Sequence, residues 1–144
     1  MESTIAGVLD NKGRDVVTIA RSATVFEAVS TMVARNVGAI CVTENGRMCG
    51  IFTERDYLRR VAVEGRTSKD TRVEEVMTSD VVCVGPAGSV NECLGIMSAK
   101  RCRHLPVMDD GELVGIVSIG DCVKRIAEDA EFSVEYLSSY IAGR

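Results

Sequence analysis

The same pattern of apolar and polar positions occurs in two separate stretches of the chain. Residues 15–19 (DVVTI) and 80–84 (DVVCV) are short runs rich in β-branched residues, which predict strands. After each run, apolar residues recur at helical spacing, starting at Val25 in the first stretch and at Val90 in the second. Each stretch is therefore predicted to begin with a strand followed by an amphipathic helix.

The second half of each stretch predicts a hairpin and a further helix. An apolar run is followed by Asn45-Gly46 or by Asp110-Gly111, and then by a second apolar run. Asn-Gly or Asp-Gly between apolar runs is a strong hairpin signal. The next helix is expected to begin at Thr53 or at Ser118. Each stretch thus reads strand, helix, strand, strand, helix.

The two stretches are copies of one unit. A shift of 65 residues aligns positions 16–61 with positions 81–126 without a gap, and 12 of the 46 aligned pairs are identical. One such unit is too small to bury its apolar faces alone, so two units are expected to share a core. We expect an N-terminal helix and lead-in at 1–15, the first repeat at 16–63, a linker at 64–80, the second repeat at 81–128 and a C-terminal helix at 129–144.

Both copies contain the phrase glycine, two apolar residues, a hydroxyl residue, two variable residues and aspartate. It reads GIFTERD at 50–56 and GIVSIGD at 115–121. A carboxylate can accept hydrogen bonds from the adjacent hydroxyls of a ribose, and the free N–H groups where a helix begins favour a nearby phosphate. The same spacing of hydroxyl and acid also matches a capping box, which needs no ligand. Capping by the hydroxyl and binding by the carboxylate can coexist.

Composition and charge exclude several classes of function. The formal charge of −4 over 144 residues disfavours a duplex nucleic-acid partner. No apolar stretch is long enough to span a membrane, and the first residues lack a secretory signal pattern, so a cytoplasmic location is expected. The dinucleotide fingerprint, the P-loop and the nucleophile elbow are all missing from the sequence, which predicts a protein that is not an enzyme and has no catalytic residue.

The six cysteines are expected to be buried, reduced thiols. None forms a Cys-x-x-Cys pair, and His104 is the single histidine, so the spacing of a zinc site is missing and no metal is predicted. Cys41 and Cys83 stand in apolar runs where a small hydrophobic residue fits. A thiol redox switch remains the less favoured alternative.

These motifs together resemble a pair of CBS domains, the tandem arrangement called a Bateman module, and in particular small stand-alone proteins of that kind. The resemblance rests on the ungapped repeat, the two glycine-to-aspartate phrases, RHLPV at 103–107 and RVEEVMT at 72–78. It implies an α/β (α+β) fold in which two β-α-β-β-α repeats pack sheet to sheet with pseudo-twofold symmetry.

The resemblance also implies a function and a set of binding residues. Its members bind AMP, ADP, ATP, S-adenosylmethionine or NAD(H) as regulatory ligands in clefts between the repeats, with the aspartate on the ribose and backbone of the opposite repeat on the adenine. Carried over, one cleft would combine Thr53, Arg55 and Asp56 with Cys83, Arg103, His104 and Pro106. The other would combine Ser118, Gly120 and Asp121 with Thr18, Ala23, Val37, Gly38 and Ala39.

The two clefts are expected to differ, because the first phrase carries Glu54-Arg55 where the second carries Ile119-Gly120. Arg55 either contacts a phosphate or forms a solvated surface pair, and Arg103 is either a ligand contact or an ordinary cation at a helix end. The resemblance implies a homodimer that signals to a regulated protein. A ligand-independent dimeric scaffold is the alternative, motivated by apolar residues of the C-terminal segment, namely Phe132, Val134, Leu137 and Ile141.

Overall fold

The chain folds into two compact units, each built around one copy of the repeat. The computed structural model describes residues 2–142, with side chains described for residues 2–131. The repeat-one unit comprises Asp15–Val82. The repeat-two unit comprises the residues from Cys83 onward together with those up to Arg14, so the first helix of the chain belongs to the second repeat.

The repeat-one unit follows the predicted order of elements. Thr24 caps the first helix of this unit, and Thr53 caps the second, where four α-helical residues continue into a π-helical turn. The linker that follows the first repeat contains a short helix. The elements are β1 (Thr18–Ala20), α2 (Val25–Arg35), β2 (Ala39–Glu44), β3 (Arg47–Thr53), α3 (Glu54–Tyr57), the π-helical turn Leu58–Ala62 and α4 (Val73–Val76).

The repeat-two unit contains a helix on each side of its hairpin and the N-terminal helix. Its elements are α1 (Ile5–Lys12), α5 (Val90–Lys100), β4 (His104–Asp109), β5 (Glu112–Ser118) and α6 (Ile119–Ala142). A separate C-terminal helix at 129–144 is not what the structure contains, because α6 runs from the second repeat through Ala142 without interruption. No glycine or proline stands between Gly120 and Ala142 to end it. The side chains of Phe132, Val134, Leu137 and Ile141 lie outside the described residues.

The sheets pair as the hairpin signals predict. Strand β1 runs parallel to β2, which pairs antiparallel with β3, and β4 pairs antiparallel with β5. Asn45 and Gly46 both adopt positive φ, as do Asp110 and Gly111. These dihedrals are those of the tight hairpin turns that Asn-Gly and Asp-Gly favour. The prediction of two hairpins is confirmed.

The prediction of a strand at 80–84, at the start of the second repeat, is wrong. Only Val84 is paired in this segment, in a single bridge with Val107. In the repeat-one unit, β1 is held by the N–H of Cys41 bonding to Val17 and by the N–H of Arg21 bonding to Thr43. The equivalent positions in the second repeat are Pro106 and Pro86. Proline has no N–H, so both flanking hydrogen bonds are lost and the strand shrinks to one bridge.

Each unit has its own apolar core, and a lead-in helix completes it. This helix is α4 in the repeat-one unit and α1 in the repeat-two unit. Phe52, in β3, is fully buried in a cluster with residues of α2, β2 and α4. In the repeat-two unit, α1 packs against β5 and α6 and buries Leu9. The helix before the first repeat therefore completes the unit of the second, and the helix before the second repeat completes the unit of the first. No helix within residues 2–142 has the length and apolarity that crossing a membrane requires.

Candidate functional site

The aspartate of the first phrase lies at the junction between β3 and α3. Its Oδ2 atom accepts a hydrogen bond from the Thr53 N–H at 3.1 Å, and its own N–H donates to Thr53 Oγ1 at 3.1 Å. These reciprocal bonds form a capping box, which satisfies N–H groups that would otherwise lack a partner where the helix begins. The capping interpretation of Asp56 is therefore correct.

The second phrase has the same local geometry at the junction between β5 and α6. The N–H of Ser118 donates to Asp121 Oδ2 at 2.8 Å, and the N–H of Asp121 donates to Ser118 Oγ at 3.1 Å. Each repeat thus holds one carboxylate at a fixed orientation where its hairpin meets its helix. The cap orients the carboxylate in advance, which lowers the entropic cost of binding a ligand to it.

The two carboxylates differ in their second partner, and neither partner was foreseen from the sequence. Thr78 Oγ1 lies 3.3 Å from Asp56 Oδ1, and Arg60 Nε lies 4.0 Å from the same oxygen. Thr78 follows α4 and forms a backbone bridge with Ile51 in β3. The carboxylate of the first repeat is therefore held mainly by a neutral hydroxyl.

The carboxylate of the second repeat is held by a lysine. Lys12 Nζ lies 2.5 Å from Asp121 Oδ2 and 2.8 Å from the carbonyl oxygen of Ile116. Burial alone would raise the pKa of Asp121, but the hydrogen bonds from Lys12 and from the Ser118 N–H outweigh it and hold that pKa below its usual value. Asp121 therefore stays ionised and paired with a cation at neutral pH.

Replacing Lys12 with Met is expected to lower the free energy of unfolding by about 0.5–1 kcal/mol at pH 7, the range of a partly exposed ion pair. A lowered folded-state pKa contributes stability above the unfolded value of about 4, and this contribution is lost as the pH falls through the folded value. The difference between wild type and variant should therefore shrink below about pH 4. Urea unfolding at pH 7, 5 and 3 measures it.

The control for this measurement is Arg14→Met, two residues after Lys12, which removes an exposed ion pair between Arg14 and Asp10. That pair is more exposed, so its loss should have a smaller effect on stability at pH 7. An undiminished difference for Lys12→Met at pH 3 would mean that the packing of the lysine stem and its hydrogen bond to Ile116, rather than the ion pair with Asp121, stabilise the fold.

In the repeat-one unit, the structure brings two predicted backbone contacts next to the capped aspartate. Ala39 pairs with Thr53 across the sheet, and the N–H of Glu54 donates to the carbonyl oxygen of Gly38 at 3.0 Å. Val37 and Gly38 also line a groove of about 460 Å³ between α2 and α3. The remaining predicted residues of this unit are placed at Thr18 in β1, at Ala23 in the turn after β1 and at the exposed Arg55 in α3.

In the repeat-two unit, the equivalent residues also adjoin the capped aspartate of their own repeat. The N–H of Ile119 donates to the carbonyl oxygen of Arg103 at 2.8 Å, and His104 pairs with Ser118. Pro106 is buried in β4, where its carbonyl oxygen accepts from the N–H of Val84. Cys83 directly precedes that bridge, and Gly120 lies exposed in the first turn of α6. The grouping of these residues into clefts shared by both repeats stays a prediction.

The thiols show little of the chemistry that a redox switch needs. All six cysteines lie within the described residues and none is in a disulfide. A hydrogen bond with Cys122 and burial raise the pKa of the Cys93 thiol, and burial raises the pKa of Cys83 and Cys102. The hydrogen bond with Cys93 lowers the pKa of the Cys122 thiol, but that thiol is fully buried and out of reach of an oxidant. Protonated thiols are weak nucleophiles. Over the same described part of the chain, no three metal-ligating side chains cluster together.

Comparison with known proteins identifies the family. The CBS domain model matches residues 12–63 and 73–128. The CBS domain-containing protein CBSX3, mitochondrial, of Arabidopsis thaliana is 37% identical over 98% of this chain and 73% of its own length. The crystal structure of the CBS-domain containing protein ATU1752 from Agrobacterium tumefaciens is 41% identical, with a TM-score of 0.82, over 85% of this chain and 98% of that one.

A more distant structure shares the fold alone. The CBS domain pair of protein MJ0100, solved in complex with 5-methylthioadenosine and S-adenosyl-L-methionine, is 23% identical. It has a TM-score of 0.77 and covers 90% of this chain and 99% of that one. Together with the two capped aspartates, the family model and the relatives lead to one conclusion: this chain belongs to the CBS domain family, as a tandem pair.

Proposed function

We propose that this chain is a regulatory, non-catalytic module that binds adenosine-containing ligands and signals their binding to a partner protein. The observation that carries the proposal is the pair of carboxylates, Asp56 and Asp121, each fixed by a cap where a hairpin meets a helix. A carboxylate in this setting accepts hydrogen bonds from the adjacent 2′ and 3′ hydroxyls of a ribose. The bound adenosine ligands of the MJ0100 domain pair support the same ligand class.

The residues around each carboxylate fit such a ligand. The cap occupies only part of the capacity of the two carboxylate oxygens, which can accept about four hydrogen bonds in total. In the cleft proposed for Asp121, Gly38 and Ala39 are small residues at the beginning of a strand, where a flat base can approach the backbone. In the cleft proposed for Asp56, the cationic Arg103 is exposed and is available to a phosphate.

The ligand class we favour is a nucleotide such as AMP, ADP, ATP or NAD(H), bound in clefts to which both repeats contribute. The proposed groups are the two stated for the clefts above, with Thr53 and Asp56 central to one and Ser118 and Asp121 central to the other. No metal is required. We further propose that the chain acts as a homodimer, since exposed Val33 and Leu58 flank the apolar groove of the repeat-one unit.

The test is a thermal melt of the purified, nucleotide-free protein with millimolar AMP, ADP, ATP, NADH or S-adenosylmethionine. A ligand that binds only the folded state at 100 times its dissociation constant stabilises that state by about 2.7 kcal/mol, which raises the melting temperature by several degrees. CTP is the matched control, because it has the charge of ATP and lacks the adenine. We expect a clear shift with at least one adenosine ligand and a smaller one with CTP.

The same experiment distinguishes the second candidate, a dimeric scaffold that needs no ligand. The exposed apolar side chains beside the groove between α2 and α3 favour this alternative. Dimers by light scattering, combined with a melting temperature that no adenosine ligand changes, would support the scaffold and contradict the regulatory proposal.

A further inference from the structure

The two repeats satisfy the same carbonyl group in different ways. In the repeat-one unit, the carbonyl oxygen of Ile51 accepts a hydrogen bond from the backbone N–H of Thr78 at 2.9 Å. In the repeat-two unit, the equivalent carbonyl of Ile116 accepts from Lys12 Nζ at 2.8 Å. In the second repeat, a lysine side chain therefore makes the hydrogen bond that a backbone N–H makes in the first.

The different lengths of the lead-in helices explain this substitution. Helix α4 ends at Val76, and Met77 turns the chain into an extended conformation that brings Thr78 alongside β3. Helix α1 has eight residues and continues to Lys12, where Gly13 ends it at a φ of 103°. The longer helix replaces the backbone bridge with a flexible cationic side chain that reaches both Ile116 and Asp121.

Because of this replacement, a ribose hydroxyl would compete with a different hydrogen-bond donor at each carboxylate. At Asp56 the competing donor within hydrogen-bond distance is the neutral hydroxyl of Thr78 at 3.3 Å, which is a long hydrogen bond, and the nearest cation, Arg60, has its Nε 4.0 Å away. At Asp121 the competing donor is the Lys12 ammonium at 2.5 Å. Hydrogen bonds between ionised groups are roughly twice as strong as neutral ones, so a neutral ribose hydroxyl displaces Thr78 more easily than Lys12.

We propose that Lys12 is a specificity-determining residue that holds Asp121 in a closed ion pair, so that an adenosine ligand binds first at Asp56. This inference rests on the proposed function, because it concerns the order in which the two sites fill. Lys12 acts through Asp121 and is a positioning residue. Opening of the ion pair is then the step that separates the singly bound protein from the doubly bound one.

Titration calorimetry with AMP tests the order of binding. Wild type is expected to show a tighter and a weaker site, and Asp56→Asn should weaken the tighter one by about 10-fold to 100-fold. In the Asp56→Asn background, Lys12→Met should strengthen binding at the remaining site on the order of tenfold, because the competing cation is gone. Adding Asp121→Asn should abolish that gain.

Two variants separate removal of the ion pair from a general structural effect. Lys12→Arg retains a cation and should leave the second site weak. Arg14→Met removes a neighbouring cation that pairs with Asp10 instead, and should leave both affinities unchanged. A gain in affinity with Arg14→Met as large as with Lys12→Met would contradict the proposal.

Three further outcomes would overturn the inference. If Lys12→Met weakens AMP binding, the lysine contacts the ligand phosphate rather than closing the site. If it changes neither affinity while wild type binds AMP, the ion pair does not control the order of binding, although the proposed function survives. If wild type binds none of the five adenosine ligands, the proposed function fails and this inference fails with it.

Discussion

Replacing Asp56 with Asn is expected to weaken AMP binding at the first-repeat site by between about 10-fold and 100-fold. Hydrogen bonds to a charged group contribute about 1.5–3 kcal/mol, and every 1.4 kcal/mol corresponds to a factor of ten in affinity. An amide has one oxygen in place of two, and that oxygen is the one needed by the Thr53 N–H. The variant therefore loses the acceptor capacity that we assign to the ribose.

The same variant is expected to keep its fold. The amide oxygen of Asn can still accept the hydrogen bond from the Thr53 N–H, and Thr53 Oγ1 still accepts from the N–H of residue 56. The loss of stability should stay below about 1 kcal/mol, as is usual for changes at a helix cap. Calorimetry with AMP, together with a urea unfolding curve, measures both quantities on one sample.

Glu75→Gln provides a matched control, because the Glu75 carboxylate caps the beginning of another helix, α4, in the same unit. It accepts a hydrogen bond from the Arg72 N–H at 2.7 Å, and this bond together with Arg66 lowers the pKa of Glu75. The control removes a cap carboxylate outside the glycine-to-aspartate phrase and should leave AMP affinity unchanged. Equal losses of affinity in the two variants, or none in Asp56→Asn, would leave Asp56 as a cap alone.

The sequence predicted the cap because capping is local. Thr53 and Asp56, like Ser118 and Asp121, are three residues apart, and a capping box needs only that spacing and a helix to follow. The hairpins were predictable for the same reason, since Asn45-Gly46 alone favours the turn. What depends on neighbouring residues in the chain could be read from their order.

The second partners of the aspartates could not be predicted, because they come from far away in the sequence. Lys12 reaches Asp121 across 109 positions, and Thr78 reaches Asp56 across 22. The relevant signal was the helix length, since α1 continues three residues beyond the buried Leu9 whereas α4 ends before Met77. The alignment at a shift of 65 stops short of these helices, so the comparison of repeats missed the difference.

The lost strand of the second repeat has a different cause. Its residues, DVVCV, form a run rich in β-branched valine, which favours a strand. The pairing fails because the two positions that would have to donate an N–H are Pro86 and Pro106, which have none, and Pro106 lies in a different strand, β4. Strand propensity depends on the residues of the strand itself and does not show whether the neighbouring strand has N–H groups to donate.

Replacing Gly50 with Ala is expected to destabilise the fold by about 2–3 kcal/mol, at the upper end of the cost of overpacking a core. A Cβ at this position would lie 2.6 Å from Met77 Sδ and 2.9 Å from the carbonyl oxygen of Thr78. The methionine side chain can move, but the Thr78 carbonyl belongs to the backbone bridge with Ile51. The urea midpoint should fall, with the slope of the transition unchanged.

Gly115→Ala is the matched variant in the second repeat and should cost less, about 1 kcal/mol. A Cβ there would lie 2.8 Å from both terminal methyl groups of Leu9, and its three nearest neighbours are all atoms of that side chain. A leucine end can rotate away, whereas a paired backbone segment cannot. Gly95→Ala, on a helix position with open space around it, is the control and should be neutral or stabilising by up to about 1 kcal/mol.

The ranking of these three variants tests why the repeated phrase begins with glycine. If Gly50→Ala lowers the free energy of unfolding more than Gly115→Ala does, the glycine is required because the lead-in segment packs closely against it. The requirement is then strictest in the first repeat, where the backbone of that segment is the close neighbour. The same difference, backbone at Thr78 against side chain at Lys12, then accounts for both the unequal packing and the unequal partners of Asp56 and Asp121. Equal costs in the two repeats would mean that the Thr78 bridge yields as easily as the leucine, and the backbone bridge would then not be the rigid element that distinguishes the first repeat.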